Sequence, residues 1–245
     1  MVKKGRLTKD KFGTSMPVDT PLYSRPPIYY KNVEELAFTY ETNEDAVLDI
    51  LPEGLELTNT PIATVLIRRY PFSTLGPYEE AILGIGCAYQ GKPRFYIPHI
   101  LVNSDVPMVA GREIWGYPKK FAHITLQMEG DLIIGTVERP QGNRICTGIV
   151  RPENPVKIVD TEKIPGLSLR IIPSPEGNTK PSLAELVEVL TDNAPIEAYS
   201  GQGFLQFNSI SDVDPWYKFH VKRLISAVYR RFDQILPFGK VIKRY

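Results

Sequence analysis

The sequence predicts an α+β fold that is dominated by antiparallel β-strands and contains few short helices. Many short apolar or alternating segments are separated by turn residues at close intervals along the chain. Segments with helical periodicity are fewer and shorter. Strands that follow one another through short turns pair as a meander, and a sheet of many such strands removes its edges by closing on itself. We therefore expect a closed or nearly closed sheet.

The N-terminal half predicts an extended arm followed by strands and two short helices. Residues 1–30 are polar and proline-rich, so we expect an extended arm on the surface, followed by one domain over residues 31–245. Each predicted helix begins at a polar capping residue with acidic residues in its first turn. The pattern predicts strands at 35–41, 62–70, 80–90 and 94–102, and helices at 42–51 and 104–116.

The C-terminal half predicts further strands and one ambiguous segment. "FAHITLQME", "LIIGTVERP" and "RICTGIVRP" are joined by turn residues and predict an antiparallel meander, and "LSLRIIP" and "GFLQFNSI" predict two more strands. Residues 221–236 carry apolar residues at helical spacing, but they are also rich in β-branched and aromatic residues. The residues alone leave that segment open.

Composition and charge are typical of an ordinary globular protein. Hydrophobic residues make up 42% of the 245 residues and charged residues 23%, and the net charge is +1. This balance favours neither nucleic acid nor a membrane as partner, and neither a signal peptide nor a membrane span is evident. We expect a cytoplasmic protein whose partner is a small molecule. Two cysteines and three scattered histidines predict no metal site, and "GIGCAYQG" is not followed by a helix that would complete a dinucleotide site, so we expect no cofactor.

The pair Lys119-Lys120 stands out because it lies between aromatic residues in "GYPKKF". An ordinary lysine is protonated at pH 7 and is not a nucleophile. Loss of water around the ammonium and a second positive charge nearby both favour the neutral amine, which attacks a ketone and forms an imine. Trp115 and Tyr117 offer apolar surface for the first effect. A protonated imine withdraws electrons from a neighbouring carbon–carbon bond, which supports decarboxylation, aldol reactions and some dehydrations.

The run "AGREIWGYPKKFAHI" resembles the lysine segment of the acetoacetate decarboxylase family, with Gly-Arg-Glu three residues before Tyr-Pro-Lys-Lys. "FTYETNEDAVLDILPEGLEL", "YSGQGFLQF" and "SAVYRRFDQILPFGKVIKRY" resemble other segments of that family, so the resemblance covers roughly residues 25–245. It implies a carbon–carbon lyase with Lys119 as the imine-forming residue and Lys120 as its companion. It also implies a cone-like barrel around the pocket and a strand over 221–236. We further expect a homo-oligomer.

The chain departs from the family pattern around the lysine. Family members place an arginine and two glutamates there, and an ungapped comparison from "LPEGLE" puts Val33, Val65 and Glu80 at those positions. Of the three positions, only that of Glu80 still carries a charged residue. The expected substrate-binding residues are Val33, Val65, Trp115 and Tyr117. A slip of one residue would bring Glu34, Glu35 or Arg68 into the site instead. Because a slip of one also reverses the face of a strand, we prefer the ungapped comparison.

The function expected from these residues is a Schiff-base lyase that acts on a β-keto acid or another keto compound through Lys119. Without the family arginine, binding of the substrate carboxylate would be weak. The alternative is therefore aldolase or dehydratase chemistry on keto acids, with little acetoacetate decarboxylation. A non-catalytic ligand-binding protein with the same fold is the second alternative. The residues leave open the substrate, the reaction, the oligomer size and the pathway.

Overall fold

The computed structural model describes residues 1–57, 59–157, 163–177 and 180–245. Two α-helices occur in this part of the chain, α1 (Glu44–Leu48) and α2 (Asp105–Ala110), and a π-helical turn, Gly111–Trp115, continues α2. Two short 3-10 helices span Lys9–Lys11 and Trp216–Phe219. No helix among the described residues is both long and apolar enough to cross a membrane. The strands are β1 (Ile28–Glu41), β2 (Leu55–Glu56), β3 (Ile62–Tyr70), β4 (Phe72–Ser73), β5 (Tyr78–Tyr89), β6 (Lys92–Val102), β7 (Lys119–Phe121), β8 (His123–Glu129), β9 (Leu132–Glu138), β10 (Arg144–Pro155), β11 (Gly166–Ile172), β12 (Leu183–Val189), β13 (Asp192–Phe207), β14 (Arg223–Leu236) and β15 (Lys240–Arg244).

Within the described residues the strands form one sheet with the order β15-β12-β11-β6-β5-β3-β1-β14-β13-β10-β9-β8. Its pairs are antiparallel except where β6 lies parallel to β7 and to β11. This confirms the predicted β-dominated fold with few helices. The path starts at β15 and ends at β8, and these two strands do not pair with each other in the described part of the chain. The predicted closure into a barrel is therefore not confirmed.

The alternation along β3 separates the core from the cavity that will hold the site. Val65 and Ile67 are fully buried in the main hydrophobic core, where β1, β3 and β5 pack against β8, β9 and β10. Thr64, Leu66 and Arg68 point to the other side and line a cavity. Since successive side chains on a strand point to opposite faces, one strand can support a core and a binding surface together.

The ambiguous segment is a strand. β14 pairs with β1 on one side and β13 on the other, in registers that include Phe232 opposite Val33 and Tyr229 opposite Tyr199. The helical spacing of its apolar residues is misleading, because the two faces of β14 are both partly buried. Apolar residues can then occur at both odd and even positions, so their spacing no longer shows the two-residue period of a strand.

His99 on β6 is half-buried beside the core, with its Nε2 atom fully buried, and should make stability depend on pH. Its ring lies edge-on to Phe219 at 5.9 Å, and no described residue hydrogen-bonds its Nε2. Burial, with a smaller contribution from the Lys120 ammonium, lowers the pKa of His99 to about 4. In the unfolded chain, His99 therefore takes up a proton below about pH 6.5. In the native protein, it is protonated only below about pH 4. Native stability should fall over that window as the pH falls, by up to about 3 kcal/mol from this residue.

Unfolding by urea between pH 4 and pH 7.5 tests the contribution of His99. In His99→Leu the free energy of unfolding should fall less steeply below pH 6.5 than in the wild type. His123→Leu is the matched control, because His123 is exposed on β8 and its loss should leave the slope unchanged. Parallel wild-type and His99→Leu curves would show that the buried ring does not resist protonation.

Candidate active site

A cavity of about 420 Å³ lies on the face of β3 opposite the main core. The even-numbered residues of β3 and β5 form its floor, and the ends of β12, β13 and β14 border it. Its size is within the roughly 300–1,000 Å³ that is usual for small-molecule sites. The side chains that carry charge on its lining are Arg68, Glu80, Arg94, Lys119 and Arg230.

Lys119 reaches this cavity from β7, where it lies opposite Ile100 of β6 and is 6% exposed. Gly111 makes room for it, because a Cβ at that position would lie 2.7 Å from Lys119 Cδ and 2.8 Å from Cε. The turn after Gly111 is closed by the Tyr117 amide, which donates to the Gly111 carbonyl at 3.0 Å. The glycine that precedes the lysine pair in the sequence thus lines the channel through which the lysine stem passes.

The arginine and glutamate that follow Gly111 hold the surrounding backbone. Arg112 Nη1 donates to the Lys119 carbonyl at 3.1 Å, and Glu113 accepts a short hydrogen bond from the Tyr23 hydroxyl. No ion pair between Arg112 and Glu113 occurs among the described residues. Arg112 therefore anchors the lysine strand, and Glu113 fixes the N-terminal arm against it.

Glu80 is the direct partner of Lys119. The Lys119 ammonium lies 2.5 Å from Glu80 Oε2, and both side chains are almost fully buried. The Tyr70 hydroxyl donates to Glu80 Oε1 at 3.0 Å. The ammonium also lies 5.5 Å from the centre of the Tyr78 ring and 5.9 Å from that of Tyr117. A carboxylate at this position can accept a proton from the lysine and return it to a bound molecule.

A second charged group lies beside this pair. The fully buried Glu35 on β1 bridges Arg68 of β3 and Arg230 of β14 through short hydrogen bonds to both guanidinium groups. Burial alone would raise the pKa of Glu35, but the two arginines outweigh it and lower that pKa. Likewise burial would lower the pKa of Arg68, and the neighbouring Glu35 carboxylate raises it instead. Glu35 and Arg68 therefore both carry their charges in this bridge.

Arg68 links this bridge to the lysine. It faces Glu80 across the β3–β5 pairing, and its Nη1 donates to the Tyr70 hydroxyl at 3.1 Å. Hydrogen bonds among the described residues use its Nε and Nη1 but not its Nη2. Burial raises the pKa of Tyr70, so its hydroxyl stays protonated and continues the chain to Glu80. A guanidinium, a carboxylate and an amine thus follow one another along one wall of the cavity.

Lys120 points away from the cavity. Its ammonium contacts Asp214 Oδ1 at 3.1 Å and the Val213 carbonyl, and Arg139 Nε donates to the other Asp214 oxygen at 2.9 Å. Adjacent residues on a strand face opposite sides, and Lys120 does not line the cavity. The expected companion of Lys119 instead fastens the 213–214 segment to the sheet.

Three of the expected substrate-binding residues do not line the cavity. Val65 is in the main core, and Val33 is fully buried in a separate cluster with Tyr30 and Phe232. Trp115 is also buried, and its indole donates to the Pro237 carbonyl at 2.9 Å. Tyr117 does line the cavity. The charged groups next to Lys119 and Glu80 are instead Arg68 and Arg230, which Glu35 bridges.

The residues of the site are suited to imine chemistry. An amine, a carboxylate that can move a proton and a guanidinium that can hold an anion share one buried cavity. Arg230 and the tyrosines Tyr30, Tyr70 and Tyr78 had not been expected there. Within the described residues no group of three or more His, Cys, Asp or Glu side chains could hold a metal ion.

Comparison with known proteins places the chain in a family. The family described as acetoacetate decarboxylase (ADC) matches residues 15–245. An acetoacetate decarboxylase of Acidiphilium cryptum is 29% identical over 94% of this chain and 95% of its own length. The crystal structure of acetoacetate decarboxylase from Legionella pneumophila is 25% identical, covers 100% of this chain and 98% of its own, and superposes with a TM-score of 0.89. The enduracididine biosynthesis enzyme MppR, complexed with pyruvate, shares the fold at 19% identity and a TM-score of 0.79, covering 96% of this chain and 99% of its own. The chain belongs to the acetoacetate decarboxylase family.

Proposed function

We propose that the protein is a β-keto acid decarboxylase that forms an imine at Lys119. The observation that carries this proposal is the position of the Lys119 amine, 2.5 Å from Glu80 in a cavity that Arg68 also lines. The chain also belongs to a family whose named relatives include decarboxylases, which supports the same reaction.

The first half of the reaction forms the imine. Glu80 takes a proton from Lys119, whose nitrogen lone pair then attacks the keto carbon of the substrate. The resulting carbinolamine loses its hydroxyl group as water, with a proton returned by Glu80, and a protonated imine remains. The tyrosine rings around the ammonium exclude water from this step.

The second half breaks the carbon–carbon bond. The bond between the α-carbon and the carboxylate cleaves, carbon dioxide leaves, and the bonding electrons pass into the imine to give an enamine. Protonation at the α-carbon regenerates the imine, and water hydrolyses it to the ketone and free Lys119. Arg68 holds the carboxylate beforehand, since a guanidinium suits a carboxylate and its Nη2 makes no hydrogen bond to a described residue.

Borohydride trapping combined with carbon dioxide assays tests the proposal. Incubation with acetoacetate and borohydride should add the reduced ketone to Lys119, located by peptide mass, and untreated enzyme should release carbon dioxide from a β-keto acid. Trapping without carbon dioxide release from any β-keto acid would assign the imine to aldol or dehydration chemistry instead. Absence of trapping with every ketone would indicate a binding protein.

A further inference from the structure

The cavity is much longer than acetoacetate. Its floor on β3 runs from Arg68 beside the charged groups to Ile62, which corresponds to roughly 20 Å of extended strand. On β5, which pairs antiparallel with β3, the floor runs alongside from Glu80 to Gly86. Acetoacetate, a four-carbon acid held at Lys119, would fill only the charged end.

The stretch next to the charged end is hydrocarbon. Leu66, Ile82, Ile97 and Ile100, here called the apolar wall, form one buried cluster and all line the cavity. Ile100 lies opposite Lys119 in the β6–β7 pairing, and Ile82 lies two residues beyond Glu80 on β5. The apolar wall therefore begins at the reactive amine. A ligand that occupies it gains free energy by removing apolar surface from water.

Phe95 marks the far end of this stretch. Its ring lies directly on the backbone of β5, because a Cβ added at Gly84 would be 2.0 Å from Phe95 Cζ. Beyond the ring the lining includes Gly86 and Arg94, and Arg94 Nε pairs with Glu188 at 2.6 Å. The lining beyond Phe95 is thus mixed, with Ile62 and Gly86 beside the charged Arg94, and the continuous apolar wall ends at the ring.

We propose that the preferred substrate is a β-keto acid with an unbranched alkyl chain, which lies along the apolar wall and ends at Phe95. The span from Glu80 to Gly84 on β5 is roughly 13 Å, which accommodates an alkyl chain of about six to eight carbons beyond the keto carbon. Phe95 then sets the upper limit of chain length. This proposal rests on the proposed function, because the imine at Lys119 fixes the keto carbon at one end.

A series of 3-oxo acids with four, six, eight, ten, twelve and fourteen carbons measures the length of the apolar stretch. For carbon dioxide release, kcat/KM should rise by about fourfold for each methylene that the wall buries. The rise should reach on the order of 10³-fold at ten carbons and then stop. A profile that is flat or falls from the four-carbon acid upward would overturn the proposal.

Two variants locate the limit. Phe95→Ala should move the optimum to a longer acid. Leu66→Phe should lower kcat/KM for the ten-carbon acid by at least about tenfold and kcat/KM for the four-carbon acid by less. Phe204→Ala is the matched control, since Phe204 is an exposed aromatic on β13 outside the cavity. An unchanged chain-length profile in both cavity variants would contradict the role of Phe95 and the wall.

Borohydride trapping with 2-alkanones of increasing length separates this proposal from the proposed function. Absence of trapping with every ketone means that the imine chemistry itself fails. Trapping of acetone and 2-nonanone with equal apparent affinity means that the imine forms but the apolar wall does not select its substrate. Tighter apparent binding of 2-nonanone, abolished in Leu66→Phe, supports the proposal.

Discussion

Replacing Lys119 with methionine should abolish borohydride trapping and lower carbon dioxide release by at least about 10⁴-fold, the scale on which loss of a covalent nucleophile lowers kcat in other enzymes. The amine lies inside the cavity 2.5 Å from Glu80, and no other lysine lines the described cavity. Methionine has a similar length and no amine, so it keeps the packing against Gly111. Folding of the variant is checked by its thermal unfolding temperature.

Lys120→Met is the matched control, and the expected result there is the reverse. Trapping at Lys119 and its dependence on pH should be retained, because the Lys120 ammonium is held by Asp214 outside the cavity. Stability should fall by about 1–3 kcal/mol, because Asp214 is buried and would keep only Arg139 as an ionic partner. A shift of the trapping profile by several pH units in Lys120→Met would show that the neighbouring ammonium activates Lys119.

The sequence predicted much of the scaffold because its strands carry local signals. The bounds of β3 were predicted as the structure has them, and strands were predicted at 80–90 and 94–102, where β5 and β6 pair. β12 was missed because its apolar alternation is interrupted by Glu185, which is buried and pairs with Arg170 of β11 at 2.9 Å and with Arg244 of β15 at 3.6 Å. These ion pairs join residues of three strands, and no local sequence pattern indicates them.

The site was predicted in part for a similar reason. Lys119, Tyr117 and Glu80 line the cavity; the local motif selected the first two, and the ungapped family comparison selected Glu80. The charged partners were missed because an ungapped count put Val33 and Val65 at their positions, and these two valines lie in apolar clusters. Glu35 and Arg68 require the pairing of β1 with β3 to be recognised as partners. Once they are placed, weak carboxylate binding no longer follows from the valines, and weak activity on acetoacetate is expected instead from its lack of an alkyl chain.

Replacing Arg68 with methionine should separate decarboxylation from imine formation. Arg68 offers the substrate carboxylate its unused Nη2, and a guanidinium holds a carboxylate with defined direction. The expected loss in kcat/KM for a β-keto acid is on the order of a hundredfold or more, the size expected when one partner of a buried charge pair is removed. Trapping with acetone, which has no carboxylate, should fall by less than about threefold.

Arg230→Met is the control for this experiment, because it removes the other arm of the same Glu35 bridge. Arg230 is more exposed than Arg68, with 44% against 12% of the side chain accessible, so its charge is better screened by water. We expect a smaller loss, about tenfold or less, for the same β-keto acid. Both variants leave Glu35 with one partner, so each should lose stability, and the assays belong at a temperature where both remain folded. Equal losses for acetone trapping and decarboxylation in Arg68→Met would mean that Arg68 supports the fold of the site and does not hold the carboxylate.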